Sequence, residues 1–137
     1  MAKTLYLNLV TPQKQLLDGV AVESVVLPAA AGELGVLPGH LPMIVQLGFG
    51  SLRYKKDGKE EEFAVMGGLA EILREGVNVF AEGADLADEI DEEAEKQKIK
   101  KAKESLSRKD ADIDFELAEM EIKQAIARMK VKKHHRK

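Results

Sequence analysis

The stretch that decides the fold is residues 51–66, which read SLRYKKDGKEEEFAVM. At its centre, Asp57 and Gly58 form a dipeptide that readily takes the two positive φ angles of a type I′ turn. The residues on either side of this turn include Leu, Tyr, Phe and Val, which are favoured in strands. The stretch therefore predicts a β-hairpin, with one strand over Ser51–Lys55 and its partner over Glu62–Met66.

Short apolar runs of the same kind lie on both sides of this hairpin. Near the N-terminus, Leu5, Leu7 and Leu9 occupy alternate positions, which places the leucines on one face of a strand that ends at Thr11. Further strands are predicted at Val20–Leu27, Leu41–Leu47, Leu69–Leu73 and Val77–Ala81, with turns at Gly67-Gly68 and Glu75-Gly76. This spacing, with no helical pattern between the strands, predicts an antiparallel β-sandwich or flattened barrel of about 80 residues.

Glycine, proline and charge divide the chain into two parts. All eleven Gly lie between Gly19 and Gly83, and all four Pro lie between Pro12 and Pro42. Residues 1–84 carry 7 basic and 10 acidic side chains, whereas the shorter segment 85–137 carries 14 of each. The sequence thus predicts a β-sandwich domain over residues 1–84 and a solvated helical domain over residues 85–137.

The second part has the pattern of two helices. The acidic residues from Asp85 to Glu95 precede any base, which suits a helix start, and Asp91 is the predicted N-cap. A second helix is predicted to open near Asp112, after a break at residues 107–110. The apolar positions of the two helices are mainly Ala and isolated Ile: Ala94, Ile99, Ala102, Leu106, Phe115, Ala118, Ile122, Ala125, Ile126 and Met129. The prediction is an antiparallel α-helical hairpin, in an α+β chain, whose thin apolar faces make it a mobile element.

Composition limits the classes of function. The chain of 137 residues contains no Cys and has a net charge of -3, which argues against disulfides, thiolate zinc sites and a nucleic-acid-binding surface. We expect no secretion signal and no membrane-spanning segment, and so a cytosol-like compartment. No phosphate-binding loop or nucleophile elbow is present in the sequence. No catalytic residue and no bound cofactor are therefore predicted.

The histidines and the acidic cluster are the candidate metal ligands. His134 and His135 are adjacent and have no third ligand nearby in sequence, so a frayed, solvated basic tail is the preferred interpretation. The carboxylates from Asp85 to Glu95 do not have the spacing of a calcium loop, and a helix start explains them better. No metal site is predicted.

The segment from Pro28 to Pro42 is unusually rich in conformationally restricted residues, with three Pro and three Gly in fifteen positions. A rigid loop that offers Glu33 and His40 is a plausible docking surface. An ordinary rigid loop that closes one end of the sandwich is the alternative.

With these residues in view, the chain resembles the epsilon subunit of bacterial F-type ATP synthases, which corresponds to the delta subunit of the mitochondrial enzyme. The resemblance covers nearly the whole chain and rests on five segments: Val26-Leu27-Pro28, Gly32 to Pro42, Gly67-Gly68, Glu89-Ile90-Asp91 and Ala125 to Val131. It implies a non-catalytic rotor subunit. The sandwich would hold the gamma subunit and rest on the c-ring, with Glu33 and His40 facing the ring.

The resemblance also implies a regulatory role for the helices. The family's helical hairpin either folds beside the sandwich or extends into the catalytic head, where it inhibits ATP hydrolysis. Candidate contacts with acidic helices of the beta subunits, next to the alpha subunits, are the basic residues Arg108, Lys109, Lys123, Arg128, Lys130, Lys132 and Lys133. A solvated basic face is the alternative for each of them. The implied location is the cytoplasmic face of the bacterial inner membrane, with membrane association only through the complex.

Some relatives bind ATP on the folded hairpin through Ile-Asp-x-x-Arg-Ala. In this sequence Ala94 stands at the arginine position and Glu95 follows it. Losing a cation and adding an acid weakens phosphate binding, so no ATP sensing is predicted. Two other functions remain as alternatives: a small-ligand-binding β-sandwich with a helical oligomerisation tail, and a small metallohydrolase.

Overall fold

The computed structural model describes residues 4–108 and 114–135. The chain divides into two compact units, Met1–Leu86 and Ala87–Lys137. In the described residues, the first unit consists of strands β1 (Leu5–Val10), β2 (Gln15–Val22), β3 (Ser24–Ala29), β4 (Gly32–Val36), β5 (Met43–Lys56), β6 (Lys59–Ile72), β7 (Gly76–Ala81) and β8 (Ala84–Leu86). The second unit contains a short 3-10 helix (Ala87–Glu89) and the helices α1 (Glu92–Arg108) and α2 (Phe115–His135). The predicted α+β fold class, with strands first and two helices after them, is confirmed.

The strands form one continuous sheet in the order β2-β1-β7-β6-β5-β3-β4, and β8 pairs with β6. The leucines of β1 are fully buried, as the alternation predicts. They share one apolar cluster with residues of strands that are far away in the sheet order, such as Leu27 of β3 and Leu52 of β5. The sheet therefore curves over onto itself, so that β2 contacts β5, and its concave face becomes the core.

One strand pair departs from the antiparallel prediction. β1 and β7 run parallel, with Tyr6 opposite Gly76 and Val10 opposite Phe80. The direction of β1 is tied to β2 by a short connection, and that of β7 is tied to β6 in the same way. When the sheet closes, β1 and β7 therefore meet in the same direction. No local sequence signal specifies this parallel pair.

The Asp57-Gly58 turn forms as predicted. Asp57 has φ 53° and Gly58 has φ 77°, and Lys56 lies opposite Lys59. The two strands that leave this turn are 14 residues each, longer than the sequence pattern indicates. The turn therefore organises the longest strand pair in the sheet.

The predicted interruptions of these two strands are wrong. Gly67 and Gly68 lie inside β6 with φ 78° and 122°, and do not form a turn. Leu47 lies opposite Gly68 and Phe49 lies opposite Met66, so the ladder continues through this region. Glycine lets β6 bend here while its pairing with β5 is kept, because it tolerates positive φ. The glycines thus produce the corner at which the sheet folds over.

Two other strand boundaries also differ from the prediction. The predicted strand Val20–Leu27 is divided at Glu23 into β2 and β3. The predicted rigid loop Pro28–Pro42 contains β4, which forms a hairpin with β3 through Ala29 and Gly32. Glycine and proline signals correctly indicate a constrained segment here but do not reveal that Gly32–Val36 pairs with β3.

The helices begin at aspartate caps. Asp91 Oδ1 accepts from the amides of Glu93 and Ala94 at 3.0 and 3.2 Å, which confirms the predicted N-cap. Asp114 caps α2 through the Leu117 amide at 3.1 Å. The predicted start at Asp112 lies outside the described residues.

The basic end predicted to fray is helical as far as His135. This last turn is held by Asp88: its carbonyl accepts from Lys132 Nζ at 3.1 Å, and its Oδ1 lies 2.6 Å from His135 Nε2. Since Asp88 precedes α1 and His135 ends α2, the helices run antiparallel. The contact explains why the tail stays ordered in spite of its charge.

We predict that Gly68→Ala destabilises the strand unit by about 3 kcal/mol or more. A Cβ at Gly68 would overlap the Phe80 carbonyl oxygen and lie 2.9 Å from the Ala81 Cα, at a φ of +122°. The control Gly58→Ala, also at positive φ but with open space around it, should cost about 1 to 2 kcal/mol. Urea unfolding followed by tyrosine fluorescence isolates this unit, because both tyrosines belong to it. Equal losses in the two variants would contradict the close approach at Gly68.

Candidate functional site

The predicted docking residue Glu33 lies on β4, at the exposed edge of the sheet. Its carboxylate accepts a hydrogen bond from Arg53 on β5 at 2.7 Å. This bond, aided by the charges of Glu33, Glu60 and Glu62, raises the pKa of Arg53 against the opposing effect of burial. More than half of the Glu33 side chain remains exposed, so the carboxylate is oriented by Arg53 while it still faces solvent.

His40 lies on the loop between β4 and β5. The loop is fixed by backbone bonds: the His40 amide donates to the Leu37 carbonyl, and the Gly39 amide donates to the Arg74 carbonyl, both at 3.1 Å. His40 Nδ1 lies 2.8 Å from the Leu41 carbonyl, and therefore carries the ring proton there. Glu33 and His40 are thus each held by a partner of their own.

The same loop exposes leucines that sequence reasoning does not single out as contact residues. Leu37 is 63% exposed and Leu41 is 75% exposed, and Ile44 at the start of β5 is 70% exposed. A folded chain rarely leaves several large aliphatic side chains so open at one end of a domain without a partner. These three residues add an apolar element to the surface around His40.

A polar row crosses the outer face of the sheet. Glu71 Oε1 accepts from Asn78 Nδ2 at 3.0 Å, Asn78 Oδ1 accepts from Asn8 Nδ2 at 2.8 Å, and Asn8 Oδ1 accepts from the Gly19 amide at 2.7 Å. The row therefore joins side chains of β6, β7 and β1 to the backbone of β2. Beside it lie the exposed side chains of Tyr6, Ile44, Leu69 and Phe80.

This outer face is the part of the surface that sequence reasoning misses. Alternation in β1 does place Tyr6 and Asn8 opposite the core face. The pairing of Asn8 with Asn78 depends on the parallel β1–β7 contact, which joins residues 70 positions apart in sequence. One sequence signal could have revealed this face. Tyr6 and Phe80 are aromatic residues at strand positions that alternate with the buried ones, so their side chains lie on the outer face.

The predicted basic residues of the helical unit fall into two groups. Arg108, Lys123, Lys130 and Lys133 are exposed. Arg128 and Lys132 are half-buried, and each has a partner in the same unit: Arg128 NH1 lies 3.5 Å from Glu95 Oε2, and Lys132 Nζ donates to the Asp88 backbone carbonyl. Lys109 lies outside the described residues. The predicted bases that the structure describes therefore differ in how far they are buried within the unit.

The segment at the degraded nucleotide motif has a clear geometry. Ala94 is exposed, whereas Glu95 is buried between the helices. A cleft of about 280 Å³ lies beside it, lined by Lys98, Glu121, Gln124 and Arg128. Across residues 4–108 and 114–135 there is no group of three or more His, Asp or Glu side chains arranged to hold a metal ion.

In the described part of the chain, neither helix combines the length and the apolar character that a bilayer crossing requires.

Comparison with known proteins identifies relatives over most of the chain. The family described as "ATP synthase, Delta/Epsilon chain, beta-sandwich domain" matches residues 4–87. The ATP synthase epsilon chain of Bacillus licheniformis is 39% identical over 129 residues, which is 94% of this chain and 98% of the relative. That of Elusimicrobium minutum is 43% identical over 109 residues, covering 80% of this chain and 81% of the relative.

Solved structures share the fold. A chain of the Euglena gracilis mitochondrial ATP synthase, in a structure of OSCP, F1 and the c-ring, aligns with a TM-score of 0.77 at 22% identity over 93% of this chain and 80% of that chain. A chain of the Tetrahymena thermophila mitochondrial enzyme, in a structure of the central stalk and c-ring, aligns with a TM-score of 0.57 at 13% identity over 98% and 96%. Together with the sequence matches, they show that the chain belongs to the ATP synthase epsilon chain family, whose members are non-catalytic subunits of that complex.

Proposed function

We propose that the chain is a rotor subunit of the central stalk that couples ion-driven rotation of the c-ring to ATP synthesis. In this proposal the strand unit binds the gamma subunit and the c-ring. The helical unit is mobile and inhibits ATP hydrolysis by extending toward the alpha and beta subunits. Membrane association then occurs only through the complex, at the cytoplasmic face of the bacterial inner membrane.

The observation that carries the proposal is the contrast between the interiors of the two units. Many Leu, Ile and Val side chains of the strand unit are fully buried. The buried side chains of α1 and α2 are Glu95, Ala102, Ala118, Ala125 and Val131. At about 25 cal/mol per Å² of apolar surface, alanine contacts contribute far less than leucine contacts. A unit held in this way can exchange its internal contacts for similar ones on a partner.

The surfaces of the strand unit support two docking roles. The loop that carries His40, with exposed Leu37 and Leu41 and the nearby β4 edge at Glu33, offers apolar area with oriented polar groups for the c-ring. The outer sheet face, with Tyr6 and Phe80 beside the polar row, suits the gamma subunit. Both solved relatives were determined in assemblies that include the c-ring, which is consistent with this arrangement.

The two alternative functions, a ligand-binding sandwich and a metallohydrolase, have less support than the rotor function. A ligand-binding sandwich would hold its ligand among the strands, whereas the two clefts described, of about 200 and 280 Å³, are lined by helix side chains. A metallohydrolase is at odds with membership in a non-catalytic family. The rotor function therefore remains as the proposal.

The regulatory part predicts the effect of removing the helices. Truncation after Leu86 keeps β8, which pairs with β6, and should leave assembly and ATP synthesis intact. If half of the complexes carry an extended, inhibitory hairpin, hydrolysis by the complex should rise about twofold, because truncation removes that hairpin. Steady-state ATPase assays of complexes reconstituted with full-length or truncated chain measure this. Unchanged hydrolysis in a fully assembled complex would show that these helices are not inhibitory.

The docking part predicts a modest role for Glu33. Glu33→Gln removes an exposed ion pair, so the free chain should lose less than about 1 kcal/mol of stability. Its affinity for membranes that carry the rest of the complex should fall severalfold, about 1 kcal/mol, since charges at an interface rim mainly orient partners. The matched control is Glu23→Gln, an exposed acid that accepts one bond, from the Gly58 amide at 3.2 Å, at the other end of β3. Equal binding by the two variants would exclude a specific contact at Glu33.

The degraded nucleotide motif predicts that the isolated chain does not bind ATP at millimolar concentrations. Glu95 places a carboxylate beside Arg128, where it competes with phosphate for the cation. Calorimetry should detect no binding to the unmodified chain, and weak binding to the double variant A94R/E95A, which restores the motif. Tight magnesium-independent ATP binding by the unmodified chain would refute the prediction.

A further inference from the structure

Glu95 is a buried acid at the interface between two helices. It lies in the first turn of α1, and only 7% of its side chain is exposed. Lys98 Nζ on the same helix donates to Oε1 at 3.3 Å, and Arg128 NH1 on α2 lies 3.5 Å from Oε2. A buried carboxylate is costly unless cations compensate it. Arg128 therefore compensates Glu95 only while the two helices are together.

Asp88 makes a second contact between the first and last parts of the unit, although its own side chain is mostly exposed. It lies in the 3-10 helix before α1 and binds Lys132 and His135 in the last turns of α2. Both acids belong to the first part of the helical unit, and both engage bases of its last part. Of the residues predicted to meet an acidic partner, Arg128 is thus occupied by the Glu95 carboxylate and Lys132 by the backbone carbonyl of Asp88.

We propose that Glu95, assisted by Asp88, is an intramolecular stand-in for an acidic partner surface. While α1 and α2 are paired, Glu95 holds Arg128 and keeps it from any partner. An acidic surface can engage Arg128 only by displacing Glu95, and so only when the helices separate. The contact is autoinhibitory, and its role in regulation rests on the proposed function of the hairpin.

This arrangement separates the bases into two functional classes. The exposed residues Arg108, Lys130 and Lys133 can attract an acidic surface in either state of the hairpin. Arg128 becomes available only after opening, so its contact with a partner stabilises the separated helices and not the paired ones. A ligand shifts an equilibrium only by its differential affinity for the two states, and Arg128 provides such a difference.

The test measures helix separation in the free full-length chain. The sequence contains no Cys, so spin labels can be attached at Lys103→Cys on α1 and Glu119→Cys on α2, which are both exposed. Distance distributions then report the separated fraction. Glu95→Gln should raise this fraction about tenfold or more, because it removes the buried charge that Arg128 meets across the helix interface. The matched control Glu93→Gln, an exposed acid in the same helical turn, should leave the fraction unchanged.

Two further variants test the pairing itself. Arg128→Gln should raise the separated fraction as Glu95→Gln does, and the charge swap E95R/R128E should return it toward the original value. Equal effects of Glu95→Gln and Glu93→Gln, or a swap no better than the single variants, would overturn the proposal.

Measurements on the assembled complex separate this inference from the proposed function. If both hold, Glu95→Gln opens the free chain and lowers ATP hydrolysis by the complex, while Glu93→Gln does neither. Helices that separate in the free chain without any change in hydrolysis would support the internal contact and contradict the inhibitory function. Helices that stay paired in Glu95→Gln would overturn the internal contact, whatever the complex does.

Discussion

The close approach of β6 and β7 at Gly68 is the constraint on which the strand unit depends. The sheet must bend to bury one face in a single core, and it bends at Gly67 and Gly68 of β6, where Leu47 of β5 lies opposite Gly68. The missing side chain at Gly68 lets the backbone of Phe80 and Ala81 lie against it. Because the bend does not interrupt the ladder, β1 and β7 can meet and join the first strand to a late one.

Local signals in the sequence reveal the elements but not how the sheet closes. The Asp57-Gly58 turn, the leucines of β1 and the Asp91 cap depend on neighbouring residues, and all three are present as predicted. Gly67 and Gly68 give the signal of a turn but lie inside β6, because a glycine pair carries the same local signal whether a strand ends or bends. Glu33 and His40 can be found in the sequence, but Arg53 as the partner of Glu33 depends on strand pairing. The Asn8–Asn78 bond is equally invisible, since it requires the parallel pair.

The polar groups of the candidate surfaces are already ordered before any partner arrives. Glu33 is held by Arg53, His40 by the Leu41 carbonyl, and Asn78 by both Asn8 and Glu71. Ordered side chains lose little conformational entropy on binding, and partly paired charges add orientation more than affinity. Most of the binding free energy of such a surface must then come from the exposed apolar residues beside these groups, such as Leu41 and Phe80.

The helical unit differs from these preordered surfaces. In the proposed function, the free energy of its paired helices must stay close to that of the separated helices. Moving a population from 1:99 to 99:1 takes about 5.5 kcal/mol of differential binding, so a thick leucine interface between α1 and α2 would make opening inaccessible. Alanine contacts keep the paired state weak, but they specify the helix register poorly. A buried ion pair supplies this register, since the charge of Glu95 is compensated across the interface only when Arg128 lies beside it. The pair therefore gives a weakly packed hairpin one defined closed state without making that state too stable to leave.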